Sequence, residues 1–417
     1  MKKDIQLFFF ACFAILASYG FLASVHTPIH DDIGTLVWPY RDYGLSYFAN
    51  KDWDFFRPIE YYIFALGEKL SFSGFPIIVN FFILSITSVY ATKITLQKTE
   101  SFTYGRPVEF LVCAFFVLTP IIAASSFNAD LLSQCLANFC IIYLLWDITS
   151  QKGRPGVALA VLALGFLSKE SFYPFAALYP LIKILSSPSS LAAYSYLAVP
   201  IFGLLLRGNV IASRSLEGID RYQINFGLNI FRNIFLHLAG LFYAGSSPDI
   251  FARNLARESF AIFVTLMIVG ATLVALTKAR WKKQYFFMIL FLVFSLLPGV
   301  FLNGVSEHNA SAFVWIGSIL VLSICFDAYH VKYVAVGLLL FGLASAVSDF
   351  RKASLLATTM ADHRTMLSEY KTTGKLRCRR NFERPYSFYF FNSNDHIYFV
   401  TNGRPDSKYL TCLKPGL

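Results

Sequence analysis

The stretch that decides the fold is residues 7–25, which read LFFFACFAILASYGFLASV. Almost all of its residues are apolar, and a helix rises ~1.5 Å per residue, so the stretch is long enough to cross the ~30 Å hydrocarbon core of a bilayer. Lys2 and Lys3 precede it, as basic residues also precede a signal peptide. Because the run exceeds a usual signal-peptide core and no clear cleavage site follows, we interpret it as a first membrane span.

The composition extends this interpretation to the whole chain. Of 417 residues, 56% are hydrophobic and only 15% are charged, which is typical of a polytopic membrane protein. We therefore expect an all-α polytopic membrane bundle. The number of transmembrane helices is about nine to eleven, because the apolar segments between Gly156 and Leu206 are short for full spans. The candidate spans are Leu7–Val25, Phe75–Leu96, Val108–Ala124, Leu131–Ile148, Gly156–Leu167, Phe172–Leu185, Leu191–Leu206, Phe260–Leu276, Tyr285–Leu302, Ser311–Phe326 and Tyr333–Val347.

The basic residues indicate an orientation rather than a nucleic-acid partner. Although the net charge is +11, the Lys and Arg residues are scattered through short loops between apolar segments. Short loops rich in Lys and Arg stay in the cytoplasm, so the amino terminus is expected there and the acidic first loop, residues 26–74, on the opposite face. An odd number of spans then places the carboxyl terminus outside as well. The three basic clusters are Lys93, Lys98 and Arg106; Lys152 and Arg154; and Lys278, Arg280, Lys282 and Lys283.

The first outer loop carries candidate functional residues at both ends. His30-Asp31-Asp32 lies close after the first span, where carboxylates are costly unless they face a water-filled cavity. One aspartate can cap a following helix, but two neighbours rarely both do so, and the other is then left for chemistry or a cation. Phe56-Arg57-Pro58 closes the loop; Arg57 either extends toward the interface or uses its planar guanidinium to bind a phosphate.

A second charged group follows a short middle span. Gly156 to Leu167 would cover only ~18 Å as a helix, so Ser168-Lys169-Glu170 ends a half-span or lies inside the bundle. In both cases Lys169 needs a partner or a cavity. Glu170 alone could neutralise it, or Lys169 could bind an anionic ligand such as a phosphate while Glu170 orients it.

Two regions lie outside the candidate spans. In residues 207–258, apolar residues recur every three to four positions from Phe226 to Phe242, which indicates either a helix along the membrane interface or a connector packed on the bundle. Residues 348–417 are polar and rich in turn residues, with short aromatic runs at 386–391 and 397–401 that resemble strands. We expect a small external domain there, α/β or β-rich, in which Cys378 and Cys412 are available for a disulfide.

These motifs, in this order, resemble the GT-C class of membrane glycosyltransferases, which take a sugar from a polyprenyl phosphate. The anchors are His30-Asp31-Asp32, Phe56-Arg57-Pro58 and Ser168-Lys169-Glu170, and the likeness covers most of residues 1–347, the expected transmembrane catalytic domain. The size, the topology and the polar tail also resemble the phage-borne serotype-converting glucosyltransferases that modify O-antigen.

The resemblance implies a role for each candidate. Asp31 or Asp32 would be the base that takes a proton from the acceptor hydroxyl. Arg57 and Lys169 would hold the donor phosphate, with Arg207 and Arg214 as further candidates, and Glu170 would position Lys169. Related enzymes carry a Ser-Glu-Arg-Tyr-like run in a late loop; here Ser306-Glu307-His308-Asn309 departs from it, which leaves Glu307 and His308 in supporting roles.

The same resemblance implies the partners and the place of reaction. They are an undecaprenyl-phosphate-linked sugar, a lipid-linked glycan acceptor and membrane lipids, with transfer on the periplasmic face of a bacterial inner membrane and inversion at the anomeric carbon. We expect no cofactor and no metal, because adjacent residues such as His30-Asp31-Asp32 seldom converge on one ion without distant ligands.

Two other classes of function remain alternatives. A flippase or transporter of lipid-linked sugar would also need a basic cavity, but it predicts internal repeats, and none is evident in the sequence. A surface-polysaccharide polymerase or ligase shares the lipid-phosphate leaving group. The arginine-rich region from Arg207 to Arg257 keeps that alternative open.

Overall fold

A computed structural model describes residues 2–25, 57–97, 105–127, 131–211, 227–244, 259–279, 281–301 and 307–373, and every regular element in those ranges is a helix. The helices are α1 (Lys2–Tyr19), α2 (Phe21–Val25), α3 (Pro58–Lys69), α4 (Phe75–Thr95), α5 (Arg106–Leu118), α6 (Pro120–Ala124), α7 (Leu132–Ser150), α8 (Pro155–Phe166), α9 (Tyr173–Ser186), α10 (Leu191–Ser195), α11 (Ala198–Ile211), α12 (Asn229–Phe242), α13 (Ser259–Lys278), α14 (Lys283–Val300), α15 (Glu307–Ala328) and α16 (Val331–Thr373), with a single-turn 3-10 helix at Glu170–Phe172.

Six of these helices are long and apolar enough to cross a membrane. In hydrocarbon the backbone must form its hydrogen bonds internally, which is why long apolar runs become helices. The prediction of an all-α bundle with membrane-length helices is therefore confirmed for the described residues. Two further apolar helical segments are too short to cross a membrane, as the short apolar segments of the sequence predicted. They are Pro155–Phe166 and Leu191–Gly203. The six apolar spans are Phe75–Thr95, Leu132–Ser150, Ala261–Lys278, Lys283–Val300, Ala310–Ala328 and Val331–Thr358.

Of the first three predicted spans two are interrupted, and the span predicted at Leu191–Leu206 is likewise divided, into α10 and α11. The first is broken at Gly20, which separates α1 from α2. The third is broken at Thr119, whose backbone is extended (φ −70°, ψ 122°) between α5 and α6. Pro120 explains the second break, because proline has no amide hydrogen to donate and disfavours a helical conformation in the residue before it. Each break leaves a long and a short helix where the sequence predicted one.

The centre of the bundle is formed by α4, α7 and α15, whose apolar windows are mostly buried. The indole of Trp315 on α15 stacks on the ring of Phe116 at 5.4 Å between centroids, and the ring of Phe115 lies 4.9 Å from that of Phe341 on α16. Large aromatic side chains of this kind supply much of the buried apolar area. The outer helices α13 and α14 bury a much smaller share of their apolar windows and expose apolar side chains.

Helix α12 packs along α14 and α15, as the connector alternative predicted. Its exposed side is apolar, with Phe231 72% and Phe235 65% exposed, while Asn233 and His237 are fully buried. The Nδ2 atom of Asn233 donates to the carbonyl oxygens of Gly299 (3.3 Å) and Val300 (3.0 Å) at the end of α14. The polar side of α12 thus faces the bundle, and its apolar side is exposed.

Helix α16 does not end near Val347, where the last predicted span ends, but continues to Thr373. The reason is packing: beyond Val347 the side chains of Asp349, Ala353, Leu356 and Met360 are buried, at helical spacing, as α16 passes α2 and α6. Residues 348–373 of the expected external domain are therefore part of this helix. The predicted strands and both Cys378 and Cys412 lie outside the described residues.

Candidate functional site

Arg57 lies immediately before α3, which begins at Pro58. Proline at the first helical position needs no amide partner, and the residue before it avoids helical geometry, so the chain turns at Arg57. Its side chain is 15% exposed and points between two carboxylates. The Nη2 atom lies 3.3 Å from Oε2 of Glu170, and the Nη1 atom lies 3.8 Å from Oε2 of Glu60.

Lys169 and Glu170 lie on the turn that joins α8 to α9. Ser168 is buried, and its hydroxyl donates to the carbonyl oxygen of Leu164 at 2.6 Å, which closes the end of α8. Lys169 is extended (φ −152°, ψ 149°), and Glu170 begins the 3-10 helix that leads into α9. The turn is held by aromatic packing, with the rings of Phe166 and Tyr173 stacked at 4.5 Å.

Glu60 is the residue of this site that the sequence reasoning missed. Its side chain is only 1% exposed, and its Oε1 atom accepts a hydrogen bond from the backbone amide of Ser133 at 3.4 Å. The signal was available: Glu60 follows Arg57 by three positions at a helix start, a spacing at which side chains meet, and a carboxylate in such an apolar sequence needs a partner.

Burial raises the pKa of Glu60 from its ordinary value of 4.5 to about 7. The positive charges of Arg57 and Lys169 and the amide of Ser133 act in the opposite direction and favour the ionised form. Helix α3, which carries Glu60, is not among the six membrane-length helices. The effect of Lys169 on this carboxyl group shows that the cation of the α8–α9 turn belongs to the same electrostatic cluster as Arg57.

The charged cluster, defined as Arg57, Glu60, Lys169 and Glu170, gathers side chains from distant parts of the chain at one end of the bundle. Helix α4 begins at that end too, because Thr149 near the end of α7 contacts Gln97 just beyond the end of α4, so the two helices run in the same direction. Two cations and two carboxyl groups therefore meet at one place, with Arg57 and Glu60 largely buried.

Other ion pairs lie at the opposite end of the helices. The Nζ atom of Lys93, in the last turn of α4, lies 3.0 Å from Oδ2 of Asp4, in the first turn of α1. Lys183 on α9 lies 2.6 Å from the buried Asp147 of α7, whose carboxylate also accepts from the hydroxyl of Tyr179. These pairs connect neighbouring helices and are separate from the charged cluster.

Three of the other predicted site residues lie outside the described residues, and three are placed by their helices alone. Asp31, Asp32 and Arg214 lie outside the described residues. Arg207 belongs to the later part of α11, and Glu307 and His308 are the first two residues of α15. Their roles stay predictions. Within the described ranges no three His, Cys, Asp or Glu side chains are grouped closely enough to hold a metal ion, and His30-Asp31-Asp32 is not among those ranges.

Among the predicted site residues, the structure brings together Arg57, Lys169 and Glu170. The guanidinium presents a planar set of donors suited to phosphate oxygens, and the ammonium of Lys169 adds a second charge. Comparisons of the chain with protein-family models, with curated proteins and with solved structures found no match.

Proposed function

We propose that this protein is an integral membrane glycosyltransferase of the GT-C kind. It would transfer a sugar, with glucose as the best candidate, from undecaprenyl phosphate to a periplasmic glycan acceptor such as O-antigen. The observation that carries the proposal is the meeting of Arg57 with Glu170, 113 residues apart in the chain, beside Lys169 and at one end of an all-α bundle. A lipid-linked phosphate would enter such a site from the membrane with its charge facing the cations.

In the proposed reaction, the acceptor hydroxyl oxygen attacks the anomeric carbon and its proton passes to Asp31 or Asp32. The bond between the anomeric carbon and the phosphate oxygen breaks, and its electron pair leaves with undecaprenyl phosphate. The leaving group needs no strong acid, because Arg57 and Lys169 stabilise its negative charge. Direct displacement with a single carboxylate base inverts the anomeric centre.

The location of the cluster supports the proposed orientation. The short loops rich in Lys and Arg favour a cytoplasmic amino terminus, which leaves the charged cluster on the opposite face of the membrane. There the donor sugar is lipid-linked rather than nucleotide-linked. We therefore propose a bacterial inner membrane protein whose active site opens toward the periplasm.

The experiment is a transfer assay with the purified full-length protein in nanodiscs, polyprenyl-phosphoglucose as donor and an O-antigen oligosaccharide as acceptor. We expect transfer of a single glucose, and a loss of about 10²-fold or more in Arg57→Ala and Lys169→Ala, since each removes a charge from the leaving phosphate. Lys93→Ala is the matched control, because it removes a lysine paired with an exposed carboxylate at the other end of the bundle and should change the rate by less than about twofold.

Three outcomes would contradict the proposal. Transfer of a whole chain would indicate a polymerase or ligase, and movement of intact donor between leaflets would indicate a flippase. Equal activity of Lys169→Ala and Lys93→Ala would remove the phosphate role from the charged cluster.

A further inference from the structure

The two carboxylates beside Arg57 lie in unlike surroundings. The side chain of Glu60 is 1% exposed and its Oε1 atom is held by the amide of Ser133, at the start of α7. The side chain of Glu170 is 38% exposed, and its Oε2 atom meets Nη2 of Arg57 at 3.3 Å. One carboxylate is thus a buried part of the bundle, and the other is a partly solvated group on the turn between α8 and α9.

The two contacts should respond differently to a competing anion. Moving Glu60 would leave the buried amide of Ser133 without its acceptor and would disturb the packing of α3 against α7. Moving Glu170 off Arg57 rotates a side chain that already reaches water, and ion pairs with an exposed partner contribute little to stability. A phosphate offers several oxygens to the guanidinium and is a stronger partner than one carboxylate oxygen.

The charges of the cluster favour the same exchange. Arg57, Lys169, Glu60 and Glu170 sum to about zero when all four are ionised, so a phosphate added to the intact cluster would gain little net attraction. If Glu170 turns outward, the two cations of the charged cluster face the phosphate, and Glu60 is the carboxyl group of the cluster that stays beside them. The geometry that makes Glu170 a partner of Arg57 therefore also makes it an obstacle to the anion.

We infer that Glu170 competes with the phosphate group of the lipid-linked donor for the Nη2 side of Arg57, while Glu60 holds the guanidinium in place from the buried side. This inference rests on the proposed function for the identity of the phosphate. It differs from the role that the resemblance implied, in which Glu170 positions Lys169. Glu170 sets how tightly the donor binds, and so how readily the polyprenyl phosphate product leaves.

The test is the affinity of the full-length protein, in phosphatidylcholine nanodiscs, for geranyl phosphate, a short isoprenyl phosphate. Titrations with inorganic phosphate and with geraniol separate the contributions of the charge and of the chain. Glu170→Gln should bind geranyl phosphate about fivefold more tightly than the wild type, the upper end of what an exposed pair contributes. Glu170→Asp should also bind more tightly, because its shorter carboxylate keeps the charge but no longer reaches Arg57.

Glu60→Gln is the matched control, since it removes a carboxyl group from the same cluster without removing the competitor. It should increase the affinity by clearly less than Glu170→Gln does. Equal gains in Glu60→Gln and Glu170→Gln, or a gain in Glu170→Gln with none in Glu170→Asp, would show a simple charge effect and overturn the inference. Weaker binding in both Glu170 variants would make Glu170 a positioning residue and would overturn it as well.

The outcomes also separate this inference from the proposed function. If the affinity pattern holds but no sugar is transferred in the nanodisc assay, the glycosyltransferase proposal fails and the competition stands. If sugar is transferred but the Glu170 variants bind geranyl phosphate as the wild type does, the competition fails alone. Absence of binding in the correctly folded wild type, judged by thermal unfolding, would refute both.

Discussion

The hydroxyl of Tyr19 donates a hydrogen bond to Oδ2 of Asp349 at 3.1 Å, across a separation of 330 residues. Tyr19 is the last residue of α1, and Asp349 lies on α16 beyond the end of the last predicted span. Both side chains are 1% exposed, so this bond joins the first and last described helices inside the bundle. It adds to the packing that holds α16 against the bundle beyond the last predicted span.

Tyr19→Phe should lower the free energy of unfolding by about 1 to 3 kcal/mol, because it removes the donor and leaves the buried Asp349 carboxylate with one bond fewer. Thermal or denaturant unfolding in detergent measures the difference. Tyr194→Phe is the control, since the side chain of Tyr194 is 45% exposed rather than buried. Equal stabilities of the two variants would refute a structural role for the Tyr19–Asp349 bond.

Gly165→Ala should disturb the turn that carries Lys169 and Glu170. A Cβ atom at Gly165 would lie 2.5 Å from Cζ of Phe172, whose ring is fully buried and has little room to move. We expect a loss of stability of about 1 to 3 kcal/mol, as in other overpacked cores, together with weaker binding of geranyl phosphate.

Gly156→Ala is the matched control for Gly165→Ala, because it lies on the same helix and a Cβ there has no neighbour within 4 Å. Alanine favours a helix over glycine by up to about 1 kcal/mol, so this variant should be as stable as the wild type or more so. A Gly165→Ala protein that melts and binds like Gly156→Ala would show that the turn does not depend on this close packing.

Asp31→Asn and Asp32→Asn should identify the base. We expect one of them to lose about 10²- to 10⁴-fold in transfer rate, since general-base catalysis contributes on that scale, while binding of geranyl phosphate stays within the range of the wild type. The nanodisc transfer assay and the phosphate titration measure the two effects separately. Full transfer activity in both variants would end the proposed mechanism.

The stability of the protein should depend on pH through Glu60. A carboxyl group whose pKa rises from 4.5 to about 7 on folding binds more protons in the folded state. Its contribution to stability is then fully present below about pH 4.5 and is lost as the pH rises through about 7. The melting temperature of the wild type should fall over this range relative to that of Glu60→Gln.

The comparison with Glu60→Gln cancels the titration of all other groups. Parallel melting curves of the two proteins between pH 4.5 and 8 would show that Glu60 titrates as an ordinary exposed glutamate. That result would refute the raised pKa of Glu60.

Helix positions could be predicted well where apolar length decides them. The span predicted at Phe75–Leu96 is the helix Phe75–Thr95, and the short span predicted at Gly156–Leu167 is the helix Pro155–Phe166. Boundaries were wrong where a single residue or a distant partner decides them. Pro120 interrupts a largely apolar run, and the packing of residues beyond Val347 extends α16.

The candidate site was predictable only in part. Arg57 and Lys169 could be predicted as site residues, because charged side chains are rare and costly in an apolar chain. Both lie in the charged cluster. Glu60 was missed because its neighbours in sequence resemble an ordinary helix start, and its burial depends on the approach of Ser133. The pairing of Glu170 with Arg57, 113 residues away, follows from no local pattern.

By itself the sequence determined that this chain forms a bundle of apolar helices, because a backbone in hydrocarbon satisfies its hydrogen bonds only within its own segment, and the length of each apolar run sets each helix. Only the tertiary structure decided which charges meet. Contacts such as Arg57 with Glu170 and Tyr19 with Asp349 depend on how helices from distant parts of the chain pack, and electrostatic and hydrogen-bond energies change steeply with the few ångströms that packing determines.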